Sequence, residues 1–413
     1  MRIFTLFLIA IACWAETVPS ASSRETGLSA DRLTRIAPLM KKHVEDGAMP
    51  GAIGLISRKG KIGYFETYGY QDMESKKPMT KDAIFRIYSM TKAVTGVAVM
   101  MLYEEGRFFL TDPVSKYLPE FANMTVSMEG KNPPIVAAER PITIRDLMRH
   151  TSGLDYAGPR DEKGASYYQK LKVTEPGIDL AEMMRRLAKA PLVHQPGTTF
   201  HYGYSIDVLG RLVEAVSGKP LDQFFEERIF KPLGMKDSGF HVPQEKWSRL
   251  VTLYTPSGAG KIARSTAPPQ DSYKQPTKLF YGGAGMVSTA SDYLRFCQML
   301  LNGGSLEGKS ILGRKSVELM STDHLGELPR AGGMGTVPQG YGFGLTFAVN
   351  LDPGRAGTIG SKGEYNWGGA AGTRFWIDPK EQMVGVFMVN ILPHTGITFG
   401  SEFKQLAYQS IID

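Results

Sequence analysis

Ser89 and Lys92, three residues apart in Ser89-Met90-Thr91-Lys92, are the pair in this chain best suited to do chemistry. A serine hydroxyl is a weak nucleophile until a neighbouring group takes its proton, and a lysine one helical turn along the same face can be that neighbour. A lysine drawn out of water against an apolar helix is available as a base. The reaction such a pair carries is acyl transfer: attack on a carbonyl, a covalent acyl-serine, then release by water. The spacing alone is a weak signal, because Ser401-Glu402-Phe403-Lys404 repeats it. That second copy reads as an ordinary helix surface, and the plain alternative for the first is a helix cap followed by a solvated lysine.

The elements around Ser89 decide whether the pair is positioned. Val94, Val97, Val99, Met100, Leu102 and Tyr103, running to Gly106, predict a largely buried helix with a glycine stop. Ser89 then stands at the helix N-terminus, where free N–H groups and the positive end of the dipole favour developing negative charge. Upstream, Leu33, Ile36, Leu39, Met40 and Val44 give an amphipathic helix over Asp31 to Asp46, ending at Gly47. The runs Gly51 to Ser57 and Lys61 to Tyr70, around Arg58-Lys59-Gly60, read as a hairpin. Strand signatures return at Tyr341 to Val349, Gly372 to Asp378 and Met383 to Val389, before a last helix from about Ser401. Between these ends lie helical patterns such as Ile206 to Val216, stopped by Gly218, and Asp222 to Phe230. The economical fold is α+β: an antiparallel sheet flanked by terminal helices, with an inserted mainly helical lobe. Its expected division is 25–85 with 285–413 for the sheet lobe and 86–284 for the helical lobe, the active site lying between them.

Composition removes several function classes. With 42% hydrophobic and 22% charged residues among 413, the chain is long enough for sizeable cores and is neither disordered nor fibrous. The net charge of +7 is scattered without a dense basic block, so nucleic acid is not an expected partner. Arg2, the apolar run Ile3 to Cys13 and the small residues Cys13 and Ala15 read as a secretory signal over residues 1–15. The run is too short to span a bilayer, and no other stretch qualifies, so the expected location is periplasmic or secreted. Lipid anchoring at Cys13 is a variant of that reading. Cys297, the one remaining cysteine, sits in an apolar helical pattern and reads as packing. The seven histidines show no metal-ligand spacing, so neither a metal nor another cofactor is expected. Gly303 to Ser310 satisfies a phosphate-loop pattern but follows a helix and not a strand, so it reads as a helix stop and turn. No Gly-x-Ser-x-Gly elbow occurs.

Several further segments keep the first Ser-x-x-Lys company in a telling order. They are Phe85 to Lys92, Thr143 to Leu154, Pro196-Gly197-Thr198 running into Phe200-His201-Tyr202, Phe230 to Met235, and Gly282 to Met286. In this set the chain resembles the family that holds class C β-lactamases, serine D-Ala-D-Ala carboxypeptidases and bacterial family VIII carboxylesterases, over nearly all its length beyond the leader. The resemblance implies that Tyr202 is the tyrosine of the second motif, written Tyr-x-Asn in the β-lactamases, and shares the serine proton with Lys92. Tyr204 stands where that asparagine would be.

For the third motif two candidates compete. His394-Thr395-Gly396 is the better literal match; Trp367-Gly368-Gly369 is better placed, just ahead of Ala370-Ala371-Gly372 and a strand. The family VIII resemblance favours Trp367, and implies an oxyanion hole made by the backbone N–H groups of Ser89 and Ala370, with Tyr204, Trp367, Gly368 and Gly369 around the substrate. The expected activity is hydrolysis of a small, short-chain ester. An indole in place of a lysine favours uncharged esters over carboxylate-bearing β-lactams, although Lys362 or Arg374 could return a charge from nearby. The alternatives are a β-lactamase or D-Ala-D-Ala carboxypeptidase, and a non-catalytic protein that binds cell-wall peptides.

Overall fold

Helix α1 (Ile36–Glu45) leads into strands β1 (Gly51–Arg58), β2 (Lys61–Asp72) and β3 (Lys77–Pro78). Helices α2 (Thr91–Glu104) and α3 (Ser205–Ser217) belong to the middle of the chain, and α4 (Ala290–Leu301) follows. Then come β4 (Tyr341–Phe343), β5 (Ala348–Asn350), β6 (Tyr365–Gly368), β7 (Arg374–Asp378) and β8 (Met383–Met388), and finally α5 (Phe399–Tyr408). The computed structural model describes residues 18–128, 134–160, 164–268, 270–333 and 335–413. Residues 1–15, read above as a secretory signal and including Cys13, lie outside them.

The eight strands form one antiparallel sheet in the order β4-β5-β6-β7-β8-β1-β2-β3. Its centre joins the two ends of the chain, with β1 against β8 in the register Ile53↔Met388 through Arg58↔Met383. Both faces of these strands are covered. Ile53, Leu55, Val384, Val386 and Met388 point into the larger core, shared with α4 and the helical middle. Ala52, Ile56, Met383 and Phe387 point the other way, onto Met40 of α1 and Phe403 and Ala407 of α5. Two-sided burial is why β1 and β8 read as continuous apolar runs instead of an alternation.

The α+β reading with terminal helices on the sheet holds, and local departures have physical causes. The helix expected over Asp31 to Asp46 is two pieces, Ala30–Leu33 and α1. Pro38 lacks the N–H that would bond the carbonyl four residues back, so a fresh helix starts and takes the proline into its first turn. The run Tyr341 to Val349 is folded back on itself as β4 and β5, with Thr346 at φ 78° in the turn. Strand β6 escaped the pattern because it is four residues long and only its first is fully buried. The pattern Asp222 to Phe230 divides into an α-helical piece, Leu221–Phe225, and a π-helical turn, Glu226–Phe230. Gly303 to Ser310 forms a glycine helix stop and a small hairpin, Ser305–Leu306 with Lys309–Ser310. Cys297 is buried within α4, where burial pushes its thiol up.

Candidate active site

Helix α2 is buried along nearly its whole length, from Thr91 to Leu102. Its start is what positions Ser89. The short strand Phe85–Arg86 pairs with Val287–Ser288, and a single 3-10 turn, Tyr88–Met90, hands over to α2. Ser89 therefore sits in the turn just ahead of the helix. That turn is pinned from the neighbouring segment: the Tyr293 hydroxyl donates to the Met90 carbonyl at 2.8 Å, and the Met286 N–H donates to Thr91 Oγ1 at 3.1 Å. Tyr88 takes a positive φ of 42°, a strained setting for a tyrosine immediately before Ser89.

Lys92 is wholly buried, and its ammonium meets three acceptors. Nζ donates to Ser89 Oγ at 3.2 Å, to the Tyr156 hydroxyl at 2.9 Å and to the Gly283 carbonyl. Three acceptors match the three N–H bonds of a lysine head. Nζ also stands 4.7 Å from the ring centre of Tyr202. The Tyr202 hydroxyl accepts the Trp367 indole N–H at 3.2 Å, and the two rings are 5.4 Å apart. Ser89, Lys92, Tyr202 and Trp367 thus form one cluster at the foot of α2.

Tyr202 is set by two loops that press together. The capping box of Thr143 and Asp146 starts the short helix Ile144–Met148. Burial acts to raise the Asp146 carboxyl, but hydrogen bonds led by Arg140 outweigh it and hold it at about 2. Its ionised oxygens then anchor Arg140, Arg149 and Thr151, fixing the following loop through Tyr156. A Cβ on Gly203 would lie 2.3 Å from the Asp155 Cα, so only glycine lets the turn after Tyr202 close onto that loop. His150, buried and at φ 56°, stacks on Tyr202 with ring centres 4.7 Å apart. Burial pushes its imidazole well below the ordinary value, so it stays neutral.

The third motif comes from the sheet. Trp367 lies in β6, whose end runs past the serine turn: a Cβ on Gly369 would meet Ile87 O at 2.4 Å and Thr373 Oγ1 at 2.2 Å. The Gly369 N–H closes onto the Thr373 carbonyl at 2.7 Å and the Gly372 N–H onto the Gly369 carbonyl at 2.9 Å. Among the described residues the Ala370 N–H donates to no protein acceptor. A cavity of about 820 Å³ opens here, lined by Ser89, Tyr202, Trp367, Gly368, Gly369 and Ala370. His394 lines its rim, next to Gly372, and is not part of a sheet strand.

Three placements differ from the sequence reading. Tyr204 does not line the cavity; it packs edge-on against Tyr156 with ring centres 4.7 Å apart, behind the Ser89 and Lys92 cluster. Tyr156 was missed, although it lies two residues after the motif stretch that ends at Leu154. The Ser401 and Lys404 pair is more than helix surface: both line the cavity, Ser401 accepts from Arg374 Nη1 at 2.8 Å, and Lys404 pairs with the buried Glu364 at 2.6 Å. The head of Lys404 is thus committed to a carboxylate and not to a serine. Behind Lys92, Asp207 of α3 accepts the Gly283 N–H at 2.9 Å, and burial raises its carboxyl to about 6 against the pull of Lys92.

This arrangement puts a serine hydroxyl, a lysine and a tyrosine in one cluster, with the Ala370 N–H beside the same cavity, groups of the kinds that acyl transfer uses. Comparison with known proteins gives the same direction. The β-lactamase family model matches residues 36–399. Esterase EstB of Burkholderia gladioli is 32% identical, over 87% of this chain and 90% of its own. A lovastatin esterase of Penicillium rubens is 29% identical, over 86% and 92%. The solved structure of EstCE1, described as a hydrolase with promiscuous acyltransferase activity, superposes with a TM-score of 0.76 at 29% identity, covering 92% of this chain and 98% of that one.

Proposed function

The chain belongs to the β-lactamase family, and from that premise we propose that it is a serine hydrolase of small, short-chain carboxylic esters, working through an acyl-enzyme on Ser89. The observation that carries the reading is the contact of Lys92 Nζ with Ser89 Oγ at 3.2 Å, beside Tyr202 and a cavity that reaches both. Ser89 Oγ attacks the ester carbonyl carbon while its proton passes to the Lys92 and Tyr202 pair. The carbonyl oxygen becomes an oxyanion between the N–H groups of Ser89 and Ala370. Collapse breaks the bond to the alkoxy oxygen, which leaves as the alcohol with the proton returned by the pair. Water then repeats the sequence on the acyl-serine and releases the acid, restoring Ser89.

Esters are favoured over β-lactams because the third motif begins with Trp367, whose indole donates one N–H to Tyr202 and brings no charge beside the reacting carbonyl. Relatives named as esterases support the same choice. Export to the periplasm or the exterior is part of the proposal and rests on the leader-like residues 1–15. The test is turnover of a p-nitrophenyl ester series by the full chain, beside a penicillin. Rapid hydrolysis of acetate and butyrate esters, lost in Ser89→Ala, is expected. A clear preference for the penicillin would replace esterase by β-lactamase, and an inert protein would leave only a binding role.

A further inference from the structure

We propose that Asn390 is a positioning residue for the oxyanion site, bracing the Ser89 turn and the Ala370 turn against each other from one point just past β8. The proposal rests on the esterase reading and deepens it. Asn390 lies two residues beyond the end of β8, is wholly buried and does not line the cavity. It acts through backbone and touches no substrate.

Strand geometry creates the need for it. The short strand Phe85–Arg86, which leads into Ser89, pairs on one side with Val287–Ser288, with Arg86 opposite Val287. Val287 turns its own N–H and carbonyl away, to the Gly239 carbonyl at 2.8 Å and the Gly239 N–H at 3.1 Å. Arg86 and Val287 are thus an opposed pair that exchanges no backbone bonds, and the Arg86 N–H and carbonyl point to the other side. The Asn390 side chain stands there in place of a strand. Its Oδ1 accepts the Arg86 N–H at 3.2 Å, and its Nδ2 donates to the Arg86 carbonyl at 3.1 Å. The second Nδ2 hydrogen goes to the Val389 carbonyl at 2.8 Å, which fixes the orientation of the amide. Arg86 is buried, so its backbone groups have no water to turn to.

The next residue reaches the other proposed donor. The Ile391 N–H donates to the Ala371 carbonyl at 2.9 Å, one residue beyond Ala370. Tyr254 holds this stretch from behind: its N–H donates to the Asn390 carbonyl at 3.0 Å, and its carbonyl accepts the Leu392 N–H at 2.8 Å. Adjacent residues therefore grip the chain three positions before Ser89 and one position after Ala370. A shift of the amide passes directly into the gap between the two N–H groups. Such a pair tolerates little error, since a misplacement of about 1 Å costs on the order of a hundredfold in rate. The amide has both hydrogens committed to backbone carbonyls, and it joins segments 304 positions apart.

Replacing the carbonyl oxygen of the substrate by sulfur separates positioning from stability. Sulfur is a weak acceptor, so well-placed oxyanion donors favour p-nitrophenyl acetate over its thiono analogue, and displaced donors lose that preference. A variant that is only less folded loses both rates in proportion. With the full chain, Asn390→Ala is expected to lower kcat on the oxygen ester about tenfold or more with little change in KM, and to lower the oxygen-to-sulfur ratio of kcat/KM at least about threefold. Asn390→Asp keeps the shape and, while protonated, can keep both Arg86 bonds. Ionised, it has no hydrogen for the Arg86 carbonyl, so between about pH 5 and 9 its ratio should lie below that of the parent at the alkaline end. Where Asn390→Ala does not fold, Asn390→Asp decides alone. A parent-like ratio in folded Asn390→Ala, or in Asn390→Asp across that whole range, overturns the brace. If the parent turns over neither ester, the esterase reading falls separately. The brace is then judged by the rate at which a fluorophosphonate labels Ser89, which must drop about tenfold or more in these variants for the assignment to stand.

Discussion

Adding one methyl group at Gly369 should disable catalysis while the same change at Gly368 should not. An ideal Cβ on Gly369 falls 2.2 Å from Thr373 Oγ1 and 2.4 Å from the Ile87 carbonyl oxygen. The threonine hydroxyl can turn away. The Ile87 carbonyl cannot, because it belongs to the backbone that leads two residues later into Ser89. The strain must therefore be relieved by separating the end of β6 from the serine turn, the two segments whose N–H groups are proposed to hold the oxyanion. On Gly368 the nearest atoms to a Cβ are Thr373 O at 3.2 Å and Arg374 Cβ at 3.8 Å, a contact the strand can absorb. Overpacking of this kind costs about 1–3 kcal/mol of stability, and full loss of one oxyanion donor costs roughly 10²–10³ in kcat. Gly369→Ala is expected to lower kcat on p-nitrophenyl acetate by at least about tenfold, with a smaller change in KM and a modest drop in thermal midpoint. Gly368→Ala should stay within about threefold of the parent, since its contact is only slightly tight. Equal activity of the two variants would refute the closeness of β6 to the serine turn as the basis of the oxyanion site.

Three further outcomes follow from the same geometry. Tyr156→Phe removes an acceptor of the Lys92 head at 2.9 Å; a charged hydrogen bond of this type is worth about 1.5–3 kcal/mol, so kcat should fall by about ten- to a hundredfold, and an unchanged kcat would exclude Tyr156 from the proton-handling group. Lys404→Ala strands the buried Glu364 and should cost about 3–5 kcal/mol in chemical denaturation, most of it recovered by adding Glu364→Gln; a stable single variant would contradict the pairing. Asp207 is raised from the usual 3.8 to about 6 by burial, so the folded chain holds a proton that the unfolded chain has already released. Its contribution to stability should accordingly fall as pH rises from about 4 to 6, by roughly 3 kcal/mol, and stay low above that. Asp207→Asn should flatten that limb of the stability profile, and an identical profile would show that the carboxyl ionises normally.

The parts of the molecule that could be read from sequence are those where one local rule decides. Val94 through Tyr103 could only be a buried helix, and β1 and β8 only buried strands, because their apolar runs are long and bounded by turns. Ser89 and Lys92 were legible because the 3-10 turn of Ser89 runs without a break into α2, which carries Lys92 in its first turn, so that spacing is geometry. Trp367 depended on a choice between two motifs, and the structure puts it in a strand against Tyr202 while His394 stays on the rim. What could not be read is what long-range packing brings together. Tyr156 reaches Lys92 across 64 positions of chain, and no periodicity marks it. Tyr204 occupies a motif position in sequence, yet its ring turns to Tyr156 instead of the cavity. The second Ser-x-x-Lys looked like helix surface because its partners, Arg374 of β7 and Glu364 just ahead of β6, come from distant parts of the sequence.

The central claim is that Ser89 becomes covalently acylated. Intact-protein mass spectrometry after exposure to a slowly released ester or a fluorophosphonate, followed by peptide mapping, tests it directly. One adduct per chain is expected, located on Ser89, absent in Ser89→Ala and retained in Ser401→Ala. An adduct on Ser401, or steady ester turnover by Ser89→Ala with no adduct on Ser89 in the parent, would contradict it.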